Sequence, residues 1–346
     1  MKSAMRRRNT PLAAVCALVL GVLALPVTAD AATPPAKPAM GELGGAGPCT
    51  AGPKTSGFGN RTQYIWVQTP TGTGQPRTGG VCNDNNRPVV FIAPGYSAMS
   101  PNSYPHLIAD MISNGHIVVY VNFSLFPVLP GVNYPQVLDG FEVAATKFNA
   151  RLGNRMDLSN IGIWGNSLGA GMVPWLAKQA HANGWGYESL WLLSSATSWV
   201  FWVELTGPID IPSHTRAMVV AYEEDDKTDH RLGIDLFHAY DVPNSQKWHL
   251  QVLSDGPYIA NHGTAGSAPA DHLDWYGVHR TYQALSDCAR TGLNCDADLS
   301  YMGTWSDGQP ATPTIVSDNP DDMGPSPATV ECGENNHQGT PSRCGP

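Results

Sequence analysis

The chain predicts an α/β fold, a doubly wound and mostly parallel sheet followed by an irregular C-terminal tail. Three observations predict it. Between residues 88 and 289, short apolar runs alternate with segments of helical period, the pattern of strand–helix–strand units. The run Pro88-Val89-Val90-Phe91-Ile92-Ala93 is apolar throughout, as a strand covered on both faces requires. Glycine and proline are abundant, 36 and 29 of 346 residues, which favours many turns over a helical bundle.

Before this pattern begins, Lys2 and Arg6-Arg7-Arg8 precede an apolar stretch over 12–27, and Ala29-Asp30-Ala31 gives a small-x-small cleavage site. Residues 1–31 therefore read as an export signal, too short and too broken by Pro26 to span a membrane comfortably. Residues 32–60, rich in Pro, Gly and Ala, read as a flexible N-terminal arm. A catalytic domain is expected over 61–302 and a Pro/Gly-rich tail over 303–346.

Within the domain, residues 64–68 alternate and predict an edge strand. Strands follow at 88–93, 117–121, 161–164, 190–193, 217–222 and 248–253. Helices are expected over 104–113, ended by Asn114-Gly115, over 137–152, where Val137, Phe141, Ala144, Phe148 and Leu152 recur at helical spacing, and over 168–182, 232–239 and 273–289.

The formal net charge is −9, and loss of the signal removes four basic residues against one acid. An acidic mature chain argues against nucleic acid as a partner and against an anionic membrane surface. Of seven cysteines, Cys16 lies in the signal; the six others, an even number in an exported chain, favour disulfides. Local pairing predicts Cys49–Cys82, Cys288–Cys295 and Cys332–Cys344. No spacing suggests a metal or cofactor, and Asp318, Asp321 and Asp322 do not match a calcium loop.

The segment Ile161-Gly162-Ile163-Trp164-Gly165-Asn166-Ser167-Leu168-Gly169 carries the chemistry. A strand runs into Gly-x-Ser-x-Gly and then into a helix, the setting in which a serine hydroxyl stands proud of the sheet beside a helix N-terminus. Ligands of parallel sheets bind beyond the carboxyl ends of the strands. At two further strand ends lie Glu223-Glu224-Asp225-Asp226 and the loop holding His262. A serine needs an imidazole to take its proton, and the imidazole a carboxylate to fix its tautomer. Ser167, Asp225 and His262 are the candidates, with Asp226 and Asp229 as other acids and His272, then His230, His238 and His249, as other bases. Donors for a developing oxyanion are expected from the backbone N–H groups of Leu168 and of Tyr96, in Pro94-Gly95-Tyr96-Ser97.

Ala93-Pro94-Gly95-Tyr96, Gly165-Asn166-Ser167-Leu168-Gly169 and Glu223-Glu224-Asp225 together resemble the secreted α/β-hydrolases of the cutinase-like and dienelactone-hydrolase-like branch, which includes bacterial polyester hydrolases. The likeness spans about residues 60–290. It implies an α/β-hydrolase fold and ester cleavage through an acyl-enzyme, with Ser167 as nucleophile, Asp225 and His262 as partners, and Tyr96 and Leu168 at the oxyanion. It also implies a substrate contact at Trp199. The chain departs from that branch in Asn166, where an aromatic or histidine is usual, and in a longer loop over 255–271. The expected protein is thus a secreted monomeric esterase acting on small or polymeric esters, without cofactor or stable membrane insertion. An inactive binding protein of the same fold and an acyltransferase are the alternatives.

Overall fold

The computed structural model describes residues 31–61, 63–123, 129–198, 208–266 and 269–322. Nearly all of the expected signal, Trp199 and the expected Cys332–Cys344 pair lie outside them.

The described residues from Thr33 onward form one compact unit. Its elements are β1 (Thr50–Phe58), β2 (Tyr64–Thr71), β3 (Arg87–Ala93), α1 (Pro105–Ser113), β4 (Ile117–Val121), α2 (Pro130–Val143), α3 (Asn149–Arg151), β5 (Met156–Asn166), α4 (Leu168–Ala182), β6 (Ser189–Ser195), β7 (Arg216–Tyr222), α5 (His230–Ala239), β8 (Lys247–Val252), α6 (Arg280–Thr291) and β9 (Ile315–Ser317). Among the described residues they build a nine-stranded sheet in the order β1-β2-β4-β3-β5-β6-β7-β8-β9. The six strands from β4 to β8 in that order pair in parallel, and β1, β2 and β9 are antiparallel additions at the two ends.

The alternation of side chains divides the core in two. Val89, Phe91 and Ala93 of β3 face the cluster that holds Val137 and Phe141 of α2, Met172 and Leu176 of α4, and Leu236 of α5. Val90 and Ile92 face the other, with Leu107 and Met111 of α1 and Tyr282 and Leu285 of α6. Helices on both faces explain why β3, β4 and β6 are buried at every position. The α/β sheet wound on both faces is the architecture that the alternating runs predict.

Three expectations need correction. Residues 32–60 are not a loose arm throughout, because Thr50–Phe58 is the true edge strand. Its sequence hides this: an edge strand exposed on most positions shows no apolar alternation, and Pro53 sits at the bulge between Ala51 and Lys54, a position where a missing N–H is tolerated. In consequence Tyr64–Thr71 is not the edge but lies between β1 and β4. At the other end the tail adds β9 to β8, so the sheet extends past both limits of the expected 61–302 domain. Two helices also depart from regular α geometry: π-turns occupy Ala144–Phe148, between α2 and α3, and Leu273–His279, leading into α6.

Two of the expected disulfides are formed, Cys49–Cys82 with Cα atoms 5.5 Å apart and Cys288–Cys295 with 4.7 Å. No helix of the described residues is long and apolar enough to cross a membrane.

Candidate functional site

The strand order reverses at β3, whose neighbours are β4 and β5. A doubly wound sheet leaves a crevice at such a switch point, beyond the carboxyl ends of the two strands. Pro94-Gly95 leaves β3 there and Ser167 leaves β5, the last paired residues being Ala93 and Gly165. A cavity of about 580 Å³ opens at this place, and its wall includes Tyr96, Tyr104, Asn166, Ser167, Lys227 and His262.

Ser167 has φ 54° and ψ −121°, a conformation that costs a side-chain-bearing residue energy and persists only where neighbours impose it. They do so through the backbone. Ser167 N–H donates to Ser195 O at 2.9 Å, while its carbonyl accepts from Ala170 N at 2.9 Å and from Ser198 N at 3.2 Å. The flanking glycines are steric necessities. A Cβ on Gly165 would lie 2.5 Å from the Gly169 carbonyl oxygen, and one on Gly169 would lie 1.9 Å from that of Ala93. The Gly-x-Ser-x-Gly pattern thus records the close crossing of β3, β5 and the first turn of α4.

Asp225 lies three residues beyond β7 and is fully buried. Its carboxylate accepts from Lys227 N at 2.8 Å, Thr228 N at 3.1 Å and Thr228 Oγ1 at 2.6 Å. His262 Nδ1 donates to Oδ2 at 2.9 Å and lies 3.1 Å from Oδ1. Burial pushes the carboxyl upward, but the hydrogen bond and charge of His262 and the Thr228 and Lys227 donors outweigh it and hold Asp225 below the usual carboxylate range. An ionised carboxylate can only accept, so Nδ1 carries the proton and Nε2 is the basic nitrogen.

The loop after β3 closes as a turn in which Ala98 N–H donates to Gly95 O at 3.2 Å and Ser97 adopts φ 65°, the left-handed third position of a tight turn. Among the described residues neither Tyr96 N–H nor Leu168 N–H has an acceptor in the protein. Leu168 is the first residue of α4, where such an N–H is unsatisfied by construction.

The other candidates are not among the residues that line this cavity. Asp226 is exposed and pairs with Lys227 Nζ at 3.1 Å. Asp229 caps α5 by accepting from Arg231 N, and also binds that guanidinium. His272 is buried, with Nε2 3.0 Å from Asp255 Oδ2, and Asp255 also accepts from Trp305 Nε1 and Thr312 Oγ1. That cluster ties the long 255–271 loop to the C-terminal segment. His230 and His249 are buried, and His238 bonds Asp321 at the surface. No cluster of three or more His, Cys, Asp or Glu among the described residues could hold a metal ion.

Two residues escape sequence reasoning. Thr228 leaves a trace, since Asp-x-x-Thr is the spacing of a carboxylate that caps a turn. Tyr104 leaves none: its hydroxyl accepts from Gly95 N at 3.0 Å and from Asn166 Nδ2 at 3.4 Å, partners that only the assembled sheet brings together. No protein-family model matches this chain, and no curated protein matches it.

Proposed function

We propose that the chain is a secreted serine hydrolase of the α/β-hydrolase fold that cleaves carboxylic esters. The single observation that carries this reading is the hydrogen bond to the buried, ionised Asp225 from His262, which lines the cavity that also holds Ser167 in its forced conformation.

In acylation, Ser167 Oγ attacks the ester carbonyl carbon and its proton passes to His262 Nε2. The carbonyl oxygen becomes an oxyanion, to which Tyr96 N–H and Leu168 N–H donate. Asp225 stabilises the imidazolium without taking its proton. Collapse breaks the bond to the leaving alkoxide, which receives the proton from His262. Water then repeats the sequence on the acyl-enzyme, releasing the acid and restoring Ser167. No cofactor is required. Disulfides and the N-terminal signal pattern support export.

The test is turnover of p-nitrophenyl esters of increasing acyl length. The reading expects release of nitrophenol by the wild type, lost in Ser167→Ala. A folded wild type that hydrolyses none of the series contradicts it.

A further inference from the structure

We infer that the Tyr104 phenol is a third donor to the oxyanion of this site, beside the two backbone N–H groups. The inference rests on the hydrolase reading above.

Both hydrogen bonds at the Tyr104 hydroxyl use its oxygen as acceptor, because the Gly95 amide and the Asn166 carboxamide nitrogen can only donate. The phenol's own proton is therefore uncommitted, and among the described residues no protein acceptor takes it. Turning the Asn166 amide over would let the phenol donate to Oδ1. In the orientation observed, the carboxamide nitrogen donates to the phenol oxygen and Oδ1 is buried without a partner.

The hydroxyl has nowhere else to swing. The ring is 4 % exposed, stands edge-on to Trp164 with centroids 5.1 Å apart, and leans on Tyr120. Tyr104 lines the same cavity as Ser167. The point where a Cβ on Gly95 would sit lies 3.3 Å from the hydroxyl oxygen and 3.3 Å from Ser167 Cβ. A proton donor is thus fixed between the loop that carries Tyr96 and the nucleophile, where negative charge develops on the carbonyl oxygen. Burial raises the phenol pKa, which keeps the donor protonated at working pH.

Tyr104→Phe retains the ring and removes the proton. It is expected to lower kcat for a p-nitrophenyl ester by about tenfold to hundredfold, with KM changed less than about threefold. Binding of a phenylboronic acid, which forms a tetrahedral adduct on serine, weakens in parallel. A kcat within about twofold of wild type, or a fall in kcat with boronate binding unchanged, overturns the inference. If Tyr104→Phe does not fold, 3-fluorotyrosine introduced at position 104 decides the matter. The more acidic phenol moves the alkaline limb of kcat/KM to lower pH, and an unmoved limb overturns the inference. Activity that Ser167→Ala abolishes and Tyr104→Phe leaves intact rejects this role alone, whereas an inactive wild type rejects the hydrolase reading itself.

Discussion

His262 Nδ1 lies 2.9 Å from Asp225 Oδ2, two side chains that leave the sheet after different strands and meet at its edge. The bond selects the imidazole tautomer, and Thr228 and the Lys227 backbone hold the acid in place.

Asp225→Asn tests that selection. The amide oxygen can still accept from the Lys227 and Thr228 backbone, while its NH2 forces the wrong tautomer on His262. Ester hydrolysis should fall by about 10⁴-fold with KM little altered. Asp226→Asn and Asp229→Asn, whose carboxylates lie elsewhere, should keep kcat within about threefold, read by initial rates.

Gly169 tests the sterics of the turn at Ser167. A methyl group at Gly169 meets a backbone carbonyl, not a movable side chain, so Gly169→Ala should destabilise the fold by about 3 kcal/mol or more. Denaturant unfolding measures it.

His272 bonds Asp255 and not Asp225, so His272→Ala should separate the two histidines. Losing one partner of a buried hydrogen-bonded pair costs about 2 kcal/mol. The variant should melt earlier yet retain its rate per folded molecule, measured by calorimetry alongside initial rates.

Asp274 predicts an unusual pH dependence. Burial raises its pKa to about 7 from 3.8, so the folded state holds a proton that the unfolded chain has lost. Its contribution to stability is complete below pH 4 and is lost as pH rises towards 7, opposite in sign to that of Asp225, which is lost on acidification. Asp274→Asn keeps an acceptor for Asp271 N and should raise stability at pH 8, on the order of 2 kcal/mol, while leaving it almost unchanged at pH 4. Thermal melts at the two pH values check the sign.

The two disulfides should differ in worth. Cys49–Cys82 closes 33 residues and Cys288–Cys295 only 7, so in the chain-entropy account the double Cys→Ser variant of the first costs about 1 kcal/mol more than that of the second. Urea unfolding of both variants compares them.

What the sequence made legible follows from what its patterns encode. Buried strands such as β3 and β6 announce themselves because burial on two faces demands unbroken apolar runs. Gly165 and Gly169 stand out because the crossing at Ser167 excludes every side chain. β1 and β9 are silent, since each joins the sheet through backbone hydrogen bonds at an edge and buries little. The choice among Asp225, Asp226 and Asp229 depends on which carboxylate turns inward, and the Asp-x-x-Thr spacing is the local sign of it. The Tyr104 contact to Gly95 and Asn166 joins three segments, so no local pattern marks it.

The central claim is that Ser167 is an activated nucleophile, and a fluorophosphonate measures this directly. Intact-mass analysis after incubation should show one adduct per wild-type chain, mapped to the peptide bearing Ser167, and none on Ser167→Ala. A folded wild type that stays unmodified, or an adduct that persists in Ser167→Ala, would contradict it.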